Sequence, residues 1–262
     1  MREMRSVSSS HEDKQVKGNG LKSNQATEAA TTARRVTITL DAERQVSGLL
    51  QTAPGARACY VLAHGAGAGM THPFLAQVAS GLVERGITSL RYQFPYMEQG
   101  SKRPDAPKLA QAAVRAAVIE AARLAPEAAL FAGGKSFGGR MTSQADAAAP
   151  LPGVCGLIFL GFPLHPPGKP SNDRAKHLFD VKIPMLFLQG TRDEFAHLDL
   201  LEPLVQQLGA GATLKLFGDA DHSFHVPART GRKDSEVRTE MLDALAAWIE
   251  TVISKGSLRP RQ

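Results

Sequence analysis

The sequence is poor in cysteine and has no long apolar run. Only two cysteines, Cys59 and Cys155, occur among 262 residues, so no disulfide framework is implied. Both lie in apolar runs, which predicts two buried free thiols. No apolar stretch is long enough to cross a bilayer, and the N-terminal stretch MREMRSVSSSHEDKQVKGNG lacks the apolar core of a signal peptide. These absences predict a soluble, cytoplasmic protein with no membrane partner.

The body of the chain also lacks an excess of either charge. The formal charge of +6 comes from the ends: seven of the 31 Lys and Arg lie in residues 1–35 and three in 255–262, against only four of the 25 Asp and Glu. Residues 36–254 therefore hold 21 residues of each sign. The terminal basic residues have no aromatic residues between them that could stack on bases. No nucleic-acid partner is predicted, and the oligomeric state is left open.

Hydrophobic periodicity predicts one folded region between two polar tails. Residues 1–33 form a predicted disordered basic tail, residues 34–254 the folded domain and residues 255–262 a basic C-terminal tail. The domain opens with two β-type runs, 34–40 and 45–52, which predict an antiparallel hairpin. The strands predicted after it are 58–64, 87–94, 128–134, 154–162, 183–190 and 212–218, and the predicted helices are 73–86, 107–125, 138–148, 198–208 and 235–253.

This alternation predicts an α/β fold. Apolar strands separated by helices indicate a mostly parallel central sheet with helices on both faces and the N-terminal antiparallel hairpin at one edge. Such sheets bind ligands beyond the carboxyl ends of their strands. The residues that follow each strand are therefore the candidates for function.

A glycine-rich turn, HGAGAG, follows the first predicted parallel strand. As a dinucleotide-binding G-x-G-x-x-G it would need glycine at position 70 or 72, and these hold Met70 and His72. Its backbone N–H groups could instead stabilise a developing anion. No H-x-x-x-H, H-E-x-x-H or cysteine pair is present, so neither a cofactor nor a metal is predicted.

The segment FAGGKSFGGR, residues 131–140, has two incompatible interpretations. A phosphate-binding loop needs glycine five residues before Gly134, where the chain has Ala129, and it needs a loop where the chain has a predicted strand. The second interpretation is G-x-S-x-G, with Ser136 at a strand-to-helix junction. There a sharp turn exposes a nucleophilic serine.

A serine nucleophile needs a base and an acid that orients the base. Asp193 follows the strand 183–190 and His222 follows the strand 212–218, so the chain order is serine, aspartate, histidine. Asp221 adjoins His222 but is poorly placed to reach its Nδ1, and His225 is a fallback base. The predicted catalytic residues are Ser136, Asp193 and His222.

Six segments resemble the α/β-hydrolase superfamily, in particular its small dienelactone-hydrolase-like type, over roughly residues 35–254. They are HGAGAGMTHPF, RYQFPYM, GGKSFGGRM, LGFPLHPPGKP, QGTRDEF and GDADHSF. Within that type they are similar to a mostly uncharacterised subset whose eukaryotic relatives include a testis-expressed protein and the hydrolase-like domain of a chromatin-complex subunit. Dienelactone hydrolases use a cysteine nucleophile where this chain has Ser136, so their substrate is not carried over.

The resemblance implies a serine hydrolase of carboxylic esters or thioesters acting on a small molecule. It places the oxyanion hole at the backbone N–H groups of Phe137 and Ala66. The expected substrate wall lies in the segments 91–97 and 162–170, with Tyr92, Phe94, Tyr96, Phe162 and His165 as substrate-binding residues. A catalytically silent interaction protein and an acyltransferase on the same scaffold remain alternatives.

Overall fold

The computed structural model describes residues 32–257. The predicted tail of residues 1–33 lies almost wholly outside these residues, as do residues 258–262 of the predicted C-terminal tail. The strands are β1 Arg34–Thr39, β2 Gln45–Gln51, β3 Ala58–Ala63, β4 Ile87–Tyr92, β5 Ala129–Lys135, β6 Val154–Leu160, β7 Met185–Gly190 and β8 Ala212–Phe217.

The helices alternate with the strands after β3. They are α1 Pro73–Val83, α2 Pro95–Glu98, α3 Pro107–Leu124, α4 Phe137–Ala148, α5 Leu198–Leu208 and α6 Asp234–Ser257, with short 3-10 segments at Asp173–Asp180, Gly209–Gly211 and Ala228–Thr230. The first three helices each begin with proline, which suits the first helical position because its missing N–H would have no partner there. The single turn α2 was not predicted from the sequence.

The described strands form one sheet in the order β1-β2-β4-β3-β5-β6-β7-β8. β1 pairs with β2, and β2 with β4, in antiparallel fashion, whereas all the other neighbours are parallel. The predicted parallel sheet with an N-terminal antiparallel hairpin is confirmed. Parallel pairing brings the carboxyl ends of β3, β5, β6, β7 and β8 to the same edge, so the segments that follow them are neighbours.

Helices cover both faces of the sheet, as predicted. Side chains that alternate along β3 enter two separate cores, since successive residues of a strand point to opposite faces. One core joins the sheet to α3, α4 and α5, and the other joins it to α1 and α6. Strands β3, β4 and β7 are therefore buried throughout, and β5 and β6 are buried along most of their length.

Two details differ from the sequence predictions. Cys59 is buried as expected, but Cys155 is exposed. Leu130 pairs with Val154 and Phe131 with Gly156, so Cys155 is the extra residue of a β-bulge and its side chain is turned out of the core. Helix α6 continues to Ser257, beyond the predicted helix end at residue 253.

Candidate active site

The turn between β5 and α4 presents Ser136 at the carboxyl edge of the sheet. Ser136 has φ 49° and ψ −113°, a conformation that non-glycine residues rarely adopt. Two glycines allow the tight turn: a β-carbon at Gly134 would lie 2.2 Å from the carbonyl oxygen of Ala63, and one at Gly138 would lie 2.6 Å from that of His64. The strained serine therefore sits where β5 passes directly into a helix, with no phosphate-binding loop between them.

The structure brings together the three residues that the sequence predicted. Ser136 Oγ lies 2.8 Å from His222 Nε2, and His222 Nδ1 lies 2.7 Å from Asp193 Oδ2. The carboxylate can only accept, so Nδ1 carries the proton and Nε2 accepts the hydrogen bond of the serine hydroxyl. The Asp193 side chain is fully buried, whereas the His222 side chain remains 17% exposed. Ser136 is half-buried, so the site reaches the protein surface.

Burial has the largest influence on the pKa of His222. It lowers the pKa of the imidazole below its ordinary value. The hydrogen bond to Asp193 and the charges of Asp193 and Asp221 oppose this change, while the positive charge of Lys135 adds to it. The ring is therefore neutral near pH 7 and available as a proton acceptor.

Asp193 accepts hydrogen bonds on both carboxylate oxygens. Oδ1 receives the backbone N–H of Phe195 at 2.8 Å, and Oδ2 receives Gln189 Nε2 at 2.5 Å in addition to His222. Gln189 is itself fully buried, and its Oε1 accepts the backbone N–H of Phe162 at 2.8 Å. Sequence analysis missed Gln189, although a glutamine at the end of the apolar run IPMLFLQG was a detectable signal.

The glycine-rich turn after β3 lies beside Ser136. A β-carbon at Gly65 would come within 3.9 Å of Ser136 Cβ. His64 bonds its own loop and the chain at Phe94: Nδ1 donates to the carbonyl of Gly65 at 2.8 Å, and Nε2 accepts the N–H of Phe94 at 3.0 Å. Burial lowers the pKa of His64 to about 4, which keeps this arrangement neutral.

The two predicted oxyanion donors belong to the two backbone segments that adjoin Ser136, the turn after β3 and the start of α4. Ala66 is exposed in the turn after β3. Phe137 is the first residue of α4, and the first N–H groups of a helix have no acceptor within it. Both candidate donors are backbone N–H groups, so neither depends on the chemistry of its own side chain.

The aromatic residues predicted as a substrate wall are core residues instead. Tyr92 and Phe94 are fully buried and Tyr96 is 2% exposed, so no substrate reaches them without a rearrangement. Phe94 packs edge-on against Phe137 at 5.3 Å, and the Tyr96 hydroxyl accepts the N–H of Gly67 at 3.1 Å. Their prediction as substrate-binding residues is therefore corrected: they support the glycine-rich turn and the start of α4 from below.

The other two predicted wall residues, Phe162 and His165, are also fully buried. Phe162 packs against Phe159 at 5.1 Å, within the core. His165 Nδ1 donates to the carbonyl of Pro166 at 2.9 Å, and its Nε2 accepts the N–H of His197 at 3.4 Å. Phe162 and His165 do not form a substrate wall, because residues 162–165 fold inward against the segment that carries Asp193, whereas residues 166–170 of the same loop are exposed.

A second serine and histidine pair lies at the far side of α4. Ser143 Oγ is 2.7 Å from His177 Nε2, but the hydroxyl also donates to the carbonyl of Arg140 at 3.0 Å. The hydroxyl proton is thus directed to Arg140, and the serine accepts from His177. No carboxylate of residues 32–257 hydrogen bonds to His177, and Ser143 is fully buried. This pair lacks the arrangement of a nucleophile with its base.

The remaining candidate groups have structural partners. His225 Nδ1 lies 2.9 Å from Asp234 at the exposed start of α6, which removes it as the fallback base. Asp221 accepts the N–H groups of Ser223 and His225 and so shapes the loop of His222. Within residues 32–257 no three His, Cys, Asp or Glu side chains converge as metal ligands, and no helix is long and apolar enough to cross a membrane.

Two shallow surface depressions occur elsewhere in the described chain. One is lined by the first turns of α6, and the other lies between β1 and α3. Neither includes Ser136, Asp193 or His222. The candidate active site is therefore separate from both depressions.

Comparison with known proteins agrees with this architecture. The dienelactone hydrolase of Anabaena variabilis is 20% identical with a TM-score of 0.68, over 84% of this chain and 97% of that one. An alpha-beta serine hydrolase homologue from Coxiella burnetii is 19% identical with a TM-score of 0.66, over 82% and 98%. XC6422 from Xanthomonas campestris, described as an α/β serine hydrolase without a lid, is 22% identical with a TM-score of 0.64, over 83% and 95%.

At these identities the likeness to the solved structures concerns the fold. The family evidence is separate: a family model described as alpha/beta hydrolase domain matches residues 56–250, which include the elbow, the acid and the histidine. With that match over most of its length, this chain belongs to the α/β-hydrolase domain family.

Proposed function

We propose that this protein is a serine hydrolase that cleaves a small carboxylic ester or thioester through an acyl-enzyme. The observation that carries the proposal is the hydrogen-bonded series from Ser136 Oγ through His222 to the buried Asp193. A serine hydroxyl is a weak nucleophile at neutral pH unless a neighbouring base takes its proton. The proposal is supported by the imidazole beside the hydroxyl and by the buried carboxylate that accepts from Nδ1.

The first half of the proposed reaction forms the acyl-enzyme. Ser136 Oγ attacks the carbonyl carbon while its proton passes to His222 Nε2, and Asp193 stabilises the imidazolium that results. The carbonyl oxygen becomes an oxyanion, which the N–H groups of Phe137 and Ala66 would stabilise. Collapse of this intermediate breaks the bond to the leaving alcohol or thiol, which takes the proton from Nε2.

The second half releases the acid. A water molecule gives a proton to His222 Nε2 and attacks the acyl carbon, and collapse returns the proton to Ser136 Oγ as the carboxylic acid departs. Transfer to an alcohol instead of water would follow the same steps. Because His222 is partly exposed, we assign water as the acceptor.

The experiment that tests this function measures hydrolysis of p-nitrophenyl esters of increasing acyl length and of a matched acyl thioester. Wild-type protein is compared with Ser136→Ala and His222→Ala, and Ser223→Ala serves as control because Ser223 is exposed next to His222. We expect kcat to fall on the order of 10³-fold or more in the first two variants and to stay within about twofold in the control. Folded wild-type protein without turnover, or equal turnover in Ser136→Ala, contradicts the proposal and leaves the silent interaction protein as the better account.

The sequence interpretations that the structure does not address stay predictions. They are the cytoplasmic location, the lack of a nucleic-acid partner and the resemblance to the subset with the testis-expressed relative.

A further inference from the structure

Lys135 precedes the candidate nucleophile, and the mechanism above does not use it. It ends β5, and its side chain is half-buried, yet its Nζ atom is inaccessible to solvent. Among residues 32–257, Nζ has no hydrogen-bond partner. Burying an ammonium group without a partner costs free energy, so packing alone does not account for a lysine here. Such costly ionisable groups are concentrated at functional sites.

Lys135 Nζ lies close to the His222–Asp193 pair. The point that a β-carbon at Gly161 would occupy lies 3.0 Å from Lys135 Nζ, 3.4 Å from His222 Nδ1 and 3.5 Å from Asp193 Oδ2. The absence of a side chain at Gly161, at the end of β6, therefore leaves the ammonium facing the pair across a gap of one methyl group. On its other side, Nζ lies 5.9 Å from the centre of the Phe224 ring, which belongs to the loop of His222.

The charged groups around this gap come from three elements. Lys135 comes from β5, Asp193 follows β7, and Asp221 shares the loop of His222 after β8. Burial lowers the pKa of Lys135 to about 8, and attraction to Asp193 and Asp221 opposes that change. The amine is therefore mostly protonated at pH 7, and its positive charge lies near the Nδ1 side of the imidazole.

We propose that Lys135 is a positioning residue whose ammonium attracts the Asp193 carboxylate and opposes a second positive charge on His222. This inference rests on the proposed function. The ammonium disfavours imidazolium in the resting enzyme, so His222 Nε2 stays free to accept the Ser136 proton in mildly acidic solution. It also makes the transient imidazolium a stronger acid toward the leaving group.

The test replaces Lys135 with methionine, which is unbranched, only one atom shorter, and uncharged. Lys135→Gln is a second neutral variant should the first not fold. Lys182→Met is the matched control, because Lys182 is exposed and precedes β7 at the opposite edge of the sheet. For each protein, the titration of His222 is followed by 15N NMR of histidine-labelled protein, and kcat/KM for a p-nitrophenyl ester is measured against pH.

We expect the pKa of His222 to rise by about one unit in Lys135→Met and Lys135→Gln, and the acid limb of kcat/KM to move up in pH by the same amount. Below that limb, kcat/KM falls about tenfold relative to wild type. In the wild-type protein, the His222 resonance should also show a second inflection near pH 8, as Lys135 loses its proton. Lys182→Met should show the wild-type values.

A merely structural lysine would change the melting temperature and leave the titration of His222 unmoved. An unchanged His222 pKa in both neutral variants, or the absence of the inflection near pH 8 in the wild-type protein, overturns the inference. The NMR titration needs no turnover, so it decides the role of Lys135 even if ester hydrolysis is absent. Loss of hydrolysis in wild type counts against the proposed function alone.

Discussion

Replacing Asp193 with asparagine exploits the fixed polarity of the hydrogen bonds around it. Oδ2 accepts from both His222 and Gln189, and Oδ1 accepts from the N–H of Phe195. An asparagine NH2 group at the position of Oδ2 would face two donors, and one at the position of Oδ1 would face the backbone N–H. Gln189 cannot resolve the conflict by turning its amide, because its Oε1 accepts the N–H of Phe162. Every arrangement places a donor against a donor.

With the NH2 group at the position of Oδ2, one of the two conflicts is relieved by a change of tautomer at His222. If Nδ1 gives up its proton and accepts from the new amide, Nε2 becomes a donor and can no longer receive the Ser136 proton. A base held in the wrong tautomer lowers kcat by about 10⁴-fold in serine hydrolases, which corresponds to about 5 kcal/mol of activation free energy. Gln189 Nε2 still faces a donor after this change, so the free energy of unfolding should fall by about 1–3 kcal/mol.

The assay is p-nitrophenyl ester hydrolysis under saturating substrate, combined with urea denaturation of the same preparations. Asp221→Asn is the matched control, because Asp221 accepts two backbone N–H groups through Oδ1 alone, and an asparagine oxygen can accept them equally. We expect kcat of the control to stay within a few-fold of wild type. A loss below tenfold in Asp193→Asn would refute the assignment of Asp193 as the residue that sets the tautomer.

Four further predictions follow from the same structure. Gly134→Ala should lower the free energy of unfolding by more than about 2 kcal/mol in urea denaturation, because its β-carbon would overlap the backbone of β3. The control is Gly218→Ala, where a β-carbon would meet nothing within 4 Å. It should change the free energy of unfolding by less than about 1 kcal/mol. Gln189→Leu removes the acceptor of a buried backbone N–H and a donor to Asp193, so the free energy of unfolding should fall by about 1–3 kcal/mol, and an unchanged urea midpoint argues against the network. The acid limb of kcat/KM should lie below pH 6.5, since burial lowers the pKa of His222 from the ordinary value of 6.5; a limb above pH 6.5 contradicts this. The pKa of His64 is about 4 in the folded protein, against the ordinary value of 6.5, so the unfolded state binds more protons below pH 6.5. This residue alone should lower the free energy of unfolding by about 2 kcal/mol between pH 7 and pH 5. The pH dependence due to His64 should be absent from His64→Asn.

The order of strands and helices was predictable because periodicity in this chain is strong. Helix α5 matches its predicted bounds, and the ends of β5 and β6 differ from prediction by one or two residues. The placement of Ser136, Asp193 and His222 after three strands was also predictable, since parallel strands bring their carboxyl ends to one edge. The distances between the three side chains were not, because they depend on loop conformations that no periodicity encodes.

The predicted substrate wall shows where sequence reasoning is weakest. Aromatic residues near strand ends suit a substrate pocket and a core equally well, and here Tyr92, Phe94 and Phe162 belong to the core. For Lys135, by contrast, sequence analysis missed a placement beside the candidate site. Nothing in its neighbours along the chain shows that Gly161, 26 positions later, leaves room for its amine beside His222. Contacts between strands carry this information, and a single sequence does not reveal them.

The most direct test of the account is to locate the site of covalent labelling by a fluorophosphonate. The probe forms a bond to a serine only where a base activates the hydroxyl, and residues 32–257 offer two serine and histidine pairs for comparison. Intact-mass and peptide mass spectrometry should show one phosphonate per chain, carried on Ser136, and none after His222→Ala. Labelling at Ser143, or an absence of labelling in the folded wild-type protein, would contradict the claim that Ser136 is an activated nucleophile.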